Sequence, residues 1–342
     1  MLLFGRKRVS PKFYMVSAWL VWFGSALSAL WILIANSWMQ TPAGAELSAD
    51  GSKAVITDFL TAAMNPSVWP RYSHTIVAVL IMGAFAAMAV SAWYLIKGRH
   101  ADFAMKTMRI GAVVGIVTSC VMIFTAHASA VVVAEEQPTK LAMMEACTTR
   151  GSAAVPVRLG GRREPESHHP FSIPGGTSFL ATGTWDTEYE GLNQLAASVE
   201  YGALDPETAP VNFVFQTYHL MVAMYGLIML TVILALVFTL RGGKIQNMKW
   251  LQRLVLISPV FPLIAIQAGW FTAEVGRQPW VVYPSATSPE ASAAHERGRL
   301  AVGVRSRAGD HDGAVPGGVR VPHGRVGSHD GSLHQGRAGC RA

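Results

Sequence analysis

Four side chains that could hold a metal or move protons stand inside or at the ends of long apolar runs. His74 opens one run, His219 and Met221 lie near the start of another, and Glu274 ends a third. An ionisable group at the centre of a membrane helix costs roughly 2.5–3.5 kcal/mol, so those that persist are candidates for a functional role. Histidine and methionine are one of the pairs that ligate a haem iron. The pattern therefore suggests a haem held between His74 and Met221.

Each of these residues also has an ordinary structural explanation. A histidine at a helix end is commonly an interfacial hydrogen-bonding residue, and the chain holds 15 methionines, most of which must simply pack. Glu274 at the end of its run could be solvated. Arg277 and Trp280, which follow it, are of the types that anchor helices at membrane interfaces. Spacing alone therefore leaves the haem interpretation open.

The elements that must position these residues are predicted from hydrophobicity. Of the 342 residues, 51% are hydrophobic and 14% are charged, whereas a soluble domain usually has about 25% charged residues. A helix needs about 20 mostly apolar residues to cross a bilayer. Five runs reach that length, namely 13–38, 72–96, 108–132, 213–240 and 251–275. The sequence thus predicts an all-α, polytopic transmembrane helix bundle.

Basic residues orient the predicted helices. They cluster before the first run, between the second and third, and between the fourth and fifth: Arg6, Lys7, Arg8, Lys12, Lys97, Arg99, Lys106, Arg109, Arg241, Lys244, Lys249 and Arg253. In an alternating path these clusters share one side, which the positive-inside rule assigns to the cytoplasm. His74, Met221 and Glu274 then approach the same outer leaflet. Because the basic residues flank the runs, the net charge of +7 does not indicate nucleic-acid binding.

This orientation divides the chain into six segments. In order they are a basic cytoplasmic N-terminus (1–12), three helices (13–132), an outer loop (133–211), two helices (212–275), an outer segment containing Gly-Arg-Gln-Pro-Trp (276–284) and a tail rich in Gly, Arg and His (285–342). The first run exceeds the roughly 7–15 residues of a signal-peptide core and is predicted to be retained. Residues 148–170 and the tail are predicted to be disordered. A shifted reading frame in the gene is the more specific explanation of their unusual composition.

Four longer stretches resemble signatures of subunit I of the cytochrome bd-type quinol oxidases. They read SALWILIANSWMQ (28–40), SAWYLIKGR (91–99), FQTYHLMV (215–222) and AGWFTAEVGRQPW (268–280), in the family's order. The resemblance covers about 13–146 and 171–283 of the chain. It implies a multi-pass protein of the bacterial inner membrane that, with lipid and a second subunit around it, oxidises ubiquinol or menaquinol and reduces dioxygen to water.

The resemblance also implies ligands, residue by residue. His74 resembles the histidine ligand of the family's low-spin haem b, and Met221 its methionine partner. Glu274 resembles the glutamate at the iron of the high-spin haem b. Trp270 is expected to pack near this haem pair, and Arg277 to be among the cofactor-binding residues. The complete enzyme would carry a further haem d at its oxygen site, although the resemblance leaves open whether that site holds haem d or haem b.

A quinol site follows from the same resemblance. Lys140 and Glu145 look like the start of the family's quinol-binding loop, 173–180 like its later part, and Asn36 like a polar residue near the haem and proton route. A carboxylate on the outer side can act as a general base for quinol protons. Releasing protons outside while oxygen reduction draws them from inside would build a proton gradient without pumping.

Departures from the family keep two alternatives open. Family members begin with three further helices that carry the ligands of the oxygen site, and they continue into a last helix after the position of Trp280. We therefore expect a shortened chain, which could be an inactive remnant that binds at most the low-spin haem. The other class considered is a membrane transporter, which requires a polar path across the bilayer and helices interrupted at its midplane. Neither feature is evident in the sequence.

Overall fold

The computed structural model describes residues 5, 7–47, 54–147, 189–198, 201–202 and 204–284. The predictions made for 148–170, 173–180 and 285–342 lie outside these residues. Within them the chain is built almost entirely from helices.

Five helical units of the described chain are long and apolar enough to cross a membrane, which confirms the five-span prediction. The helices are α1 (Pro11–Gln40), α2 (Phe59–Ala63), α3 (Val68–Ile96), α4 (Ala101–Glu136), α5 (Pro138–Met144), α6 (Leu192–Ala196), α7 (Val211–Leu240), α8 (Lys249–Ile257) and α9 (Val260–Val275). An antiparallel hairpin of β1 (Ala45–Leu47) and β2 (Ala54–Ile56) follows α1. The spanning units are α1, α2 with α3, α4, α7, and α8 with α9.

The alternating direction of these helices brings particular chain ends together. One end of the bundle collects the last residues of α1, α4 and α9 and the first residues of α3 and α7. We call it the outer end, after the orientation predicted from the basic residues. The short helix α5 and residues 276–284 extend the chain there.

Helix α1 begins with a conventional cap and packs mainly through its last turns. The Ser10 hydroxyl accepts a hydrogen bond from the amide of Phe13, and Pro11 occupies the first turn, where a missing amide hydrogen costs nothing. Its buried residues lie towards its C-terminal end: Leu33, Asn36, Ser37 and Gln40. Halfway along, the hydroxyl of Tyr72 on α3 donates to the carbonyl of Ala26. The outer half of α1 is therefore the half that is fixed to the bundle.

Small residues let α4 approach its neighbours closely. A Cβ on Gly111 would lie 2.7 Å from Met88 Cγ of α3, and one on Gly115 would lie 2.8 Å from Val232 Cγ2 of α7. Membrane helices associate largely through such close packing, because lipid removes the hydrophobic drive between them. The main buried cluster, formed by α3, α4, α7 and α8, surrounds these contacts.

The fifth predicted span is a unit of two helices, α8 and α9, which together cover Lys249–Val275. Helix α8 ends at Ile257 and α9 begins at Val260, because Pro259 has no amide hydrogen to donate and its ring crowds the preceding turn. Helical bonding resumes at once, since the amide of Phe261 donates to Ser258 and that of Leu263 to Pro259. The interruption is therefore a local proline break.

A second buried cluster lies at the outer end. It joins α5, α6 and the first turn of α7 to the segment after α9, through residues that include Met143, Leu192, Tyr201, Trp280 and Tyr283. Tyr201, Trp280 and Tyr283 have ring centroids 5.4–6.1 Å apart. These aromatic contacts tie the residues after α9 to the loop before α7.

Candidate functional site

A hydrogen-bonded chain of polar side chains crosses the outer end from α3 to α9. The Nδ2 of Asn36 on α1 donates to Oε1 of Glu274 over 2.8 Å, and its Oδ1 accepts from the guanidinium of Arg71 on α3 over 2.6 Å. Arg277 forms a 2.5 Å ion pair with the other carboxylate oxygen of Glu274. One asparagine thus links two charged groups from different spans.

A second polar group lies beside the first. Gln40, the last residue of α1, accepts hydrogen bonds through Oε1 from Lys140 Nζ and, at 2.9 Å, from Gln137 Nε2. The amine of Lys140 also donates to Gln137 Oε1 over 2.5 Å. The Nε2 of Gln40 donates to the carbonyl of Ala273 on α9 over 3.2 Å. Helix α5 is therefore joined to α1 and α9 through these three side chains.

The two groups form one electrostatic unit with more positive than negative charge. Lys140 interacts with Arg71, Arg277 and Glu274, so among the described residues three basic groups face a single carboxylate. Burial lowers the pKa of the Lys140 amine well below its usual 10.5, the two arginines lower it further, and Glu274 opposes them. Charge removed from water without a partner is costly. The site is consequently suited to an additional anion.

His74 lies near the start of α3, at the end of the bundle that we call the outer end. Its Nδ1 is buried and has no hydrogen-bond partner among the described residues. A buried polar atom is nearly always paired in native structures, so an unpaired imidazole nitrogen calls for an explanation. Arg71, about one helical turn earlier on the same helix, interacts with it electrostatically.

Met221 lies on α7 and faces α9. A Cβ on Gly269 would lie 2.8 Å from its sulphur, so only glycine leaves the space that Met221 occupies. One turn away, the hydroxyl of Thr272 on α9 donates to that of Thr217 on α7 over 2.9 Å. The structure places His74 and Met221 at the same end of the bundle, and their pairing at one iron stays a prediction.

The remaining predicted site residues take different positions. Trp270 is 48% exposed on α9, so in this chain it points away from the packed interior. Glu145 follows α5, is half-buried and lies close enough to Tyr218 of α7 to interact with it electrostatically. His219 is exposed, with Nδ1 2.9 Å from the carbonyl oxygen of Phe215 and its ring stacked on that residue. His219 therefore acts as a surface residue of α7.

Sequence reasoning gave no role to Arg71, Gln40 and Gln137, which the structure places in the site. One signal was available for Arg71: in the predicted orientation it lies on the outer side, where the positive-inside rule does not expect a cation. Lys140 and Arg277 share that property. The two glutamines carried no such signal, because a neutral polar residue after an apolar run is common.

Comparison with known proteins gives one consistent result. Residues 1–304 match the family model described as cytochrome bd terminal oxidase subunit I. The chain is 32% identical to the cytochrome bd-II ubiquinol oxidase subunit 1 of Escherichia coli (strain K12), over 87% of the chain and 70% of that protein. It is 31% identical to the cytochrome bd ubiquinol oxidase subunit 1 of Bacillus subtilis (strain 168), over 82% of the chain and 60% of that protein.

A third relative and a solved structure agree with these matches. The chain is 30% identical to a putative cytochrome bd menaquinol oxidase subunit I of Bacillus subtilis (strain 168), over 81% of the chain and 61% of that protein. It resembles the structure of bd oxidase from Geobacillus thermodenitrificans with a TM-score of 0.65 and 26% identity, over 90% of the chain and 71% of that structure. The chain thus spans between 60% and 70% of the three relatives.

Proposed function

We propose that this chain, which belongs to the cytochrome bd terminal oxidase subunit I family, is the haem-bearing subunit of a respiratory quinol oxidase in a bacterial inner membrane. The observation that carries the proposal is the network in which Asn36 joins Arg71 to Glu274 beside the buried amine of Lys140. It places the predicted haem residue Glu274 and the predicted quinol residue Lys140 in one electrostatic unit at the outer end.

The residues at this end fit a haem. His74 has a buried ring nitrogen without a partner among the described residues, and Met221 has a sulphur seated over a glycine. These two side chains would ligate the iron of a low-spin haem b. A haem iron in such a site supplies one-electron transfer at a potential that a methionine ligand raises.

The excess of positive charge fits the same group. A haem carries two propionate carboxylates, and Arg71 and Arg277 supply planar guanidinium groups that pair well with carboxylates. Glu274 is held from both sides by Asn36 and Arg277, which fixes the direction of its carboxylate. We assign Glu274 to the iron of a high-spin haem b, and Trp270 to the surface beside that haem.

Lys140 and Glu145 belong to the proposed quinol site. A quinol must lose two protons and two electrons to become a quinone. We assign Glu145, which is half-buried after α5, to accept one proton, and the amine of Lys140 to hydrogen-bond a quinol oxygen. Protons accepted at the outer end would leave on that side and contribute to a proton gradient.

The partners follow from the relatives. Two relatives are named ubiquinol oxidases and one a putative menaquinol oxidase, so either quinol is a candidate substrate. We further propose dioxygen as the final electron acceptor, a haem d in the complete enzyme and cytochrome bd subunit II as the neighbouring chain. Lipid would surround the exposed apolar faces of the bundle.

A reduced-minus-oxidised visible spectrum tests the proposal. Membranes from a host without its own bd oxidase would carry the wild-type chain, a His74→Ala variant or a His127→Ala variant, since His127 is an exposed histidine on α4. We expect a low-spin haem b band in the wild type and in His127→Ala, and none in His74→Ala. No band in any sample that contains the protein would overturn the haem-bearing role.

A further inference from the structure

Gln40 uses all of its polar atoms inside the protein. It is fully buried at the end of α1. Its Oε1 accepts from Lys140 and Gln137, its backbone carbonyl accepts from Gln137 over 2.6 Å, and its Nε2 donates to the carbonyl of Ala273. A side chain with this many partners from three segments is a structural junction between α1, α5 and α9.

The direction of the Gln40 amide is forced by its partners. The carbonyl of Ala273 can only accept a hydrogen bond, so it requires the nitrogen of the amide. The amine of Lys140 needs an acceptor, so it requires the oxygen. Turning the amide over would break both contacts, and the acceptor therefore always faces Lys140.

Gln137 depends on the same residue. Its Nε2 donates to both oxygens of Gln40, and this turns its own Oε1 towards Lys140 at 2.5 Å. Loss of the Gln40 side chain would consequently release both acceptors of the amine. Gly276, the residue after α9, packs against the Lys140 side chain, since a Cβ on it would lie 3.0 Å from Lys140 Cγ.

We propose that Gln40 is a positioning residue for Lys140, which it orients so that one position of the amine is left to hydrogen-bond a quinol oxygen. Gln40 and Gln137 each accept one N–H of Lys140. The remaining position is a third N–H in the charged amine and a lone pair, which can accept from a quinol hydroxyl, in the neutral amine. The link to quinol rests on the proposed function of Lys140. The orientation of the amine rests on the hydrogen bonds alone.

Acetylation of the amine tests the orientation directly. The full chain in detergent would be treated with the N-hydroxysuccinimide ester of acetic acid, and modification at Lys140 would be measured by peptide mass spectrometry, with exposed Lys106 as the internal standard. We expect Lys140 to be protected in the wild type. In Gln40→Met, which removes both polar atoms at similar length, we expect modification to rise about tenfold.

Two further variants separate positioning from general loosening. Gln40→Glu keeps an oxygen for Lys140 and loses the donor to Ala273, so we expect it to restore protection. Gln252→Met removes another buried glutamine, whose Nε2 donates to the carbonyls of Ile245 and Gln246 away from the outer end, and we expect it to leave Lys140 protected. Should Gln40→Met fail to accumulate, Gln40→Asn withdraws the amide with a smaller change.

The outcomes are distinct. Protection of Lys140 that survives both Gln40→Met and Gln40→Asn overturns the proposal, as does equal exposure in Gln252→Met. Binding of decylubiquinone to the same samples is a separate readout, and we expect a weaker affinity in Gln40→Met alone. Absence of decylubiquinone binding in the wild type would remove the quinol role while leaving the acetylation result, and thus the positioning of Lys140, intact.

Discussion

Asn36 and Glu274 form a 2.8 Å hydrogen bond across 238 positions of sequence, between the outer ends of α1 and α9. The same asparagine accepts a hydrogen bond from Arg71. One neutral side chain thus separates a cation from a carboxylate and bonds to both. Arg71 and Glu274 are held apart at a fixed spacing without forming a direct ion pair.

Replacement of Asn36 by leucine should destabilise the chain. The variant removes the acceptor of Arg71 and leaves Glu274 with Arg277 as its remaining partner, and an unsatisfied buried group costs about 1–3 kcal/mol, more where it is charged. The measurement is the thermal unfolding midpoint in detergent. Asn247→Leu, at an exposed position of the 3-10 helix Lys244–Asn247 before α8, is the matched control and should unfold like the wild type. Equal midpoints for Asn36→Leu and wild type would contradict the expectation.

Gly269→Ala should alter the haem site with little effect on stability. The new Cβ would lie 2.8 Å from the Met221 sulphur, which must move, and methionine is flexible enough to do so cheaply. We expect a near wild-type unfolding midpoint and a weakened or shifted low-spin band. Gly226→Ala, on the helix of Met221 but with no atom within 4 Å, is the control. An unchanged band in Gly269→Ala would argue against Met221 as a ligand.

Gly111→Ala should loosen the packing of α3 on α4. Its Cβ would lie 2.7 Å from Met88 Cγ and 3.2 Å from the carbonyl oxygen of Ala84, and backbone cannot move aside as a side chain can. Overpacking of this kind costs about 1–3 kcal/mol. The unfolding midpoint should fall in Gly111→Ala and stay level or rise in Gly83→Ala, where nothing lies within 4 Å.

Lys140 should make stability depend on pH. Its folded pKa lies well below the usual 10.5, so between these two values the unfolded chain binds more protons than the folded one. Stability then rises with pH through that interval, by up to about 1.4 kcal/mol per pH unit. Lys140→Met should flatten the rise when unfolding midpoints are measured against pH. Lys106→Met, which replaces an exposed lysine, should keep the rise of stability with pH. If stability rises with the same slope in Lys140→Met, another group is responsible for the pH dependence.

The sequence was informative about the spans and about which predicted site residues share one end of the bundle. Apolar runs predicted all five units because an exposed helical face in lipid must be apolar along its length. The alternation of basic clusters then placed His74, Met221 and Glu274 at one end, where the structure has them. The interruption of the fifth span at Ser258–Pro259 has a visible cause in the proline.

The contacts within the site could not be predicted from the sequence. Asn36, Arg71 and Glu274 come from three spans, and no local pattern reports which side chains of separate helices meet. Gln40 and Lys140 are likewise 100 positions apart. Their pairing depends on the direction that the chain takes between α4 and α5. The sequence shows this turn only as Pro138 following Gln137.

The packing of α1 gives the two ends of the molecule different mechanical properties. All of its buried residues lie in its outer half, whereas large apolar residues of its other half, such as Trp19 and Phe23, are exposed within the described chain. Helices meet a change of bilayer thickness by tilting. The half of α1 before the contact between Ala26 and Tyr72 should therefore tilt when the bilayer thickness changes. The half after that contact, with the hydrogen bond from Asn36 to Glu274, should keep its position, so the spacing of the charges at the outer end stays constant.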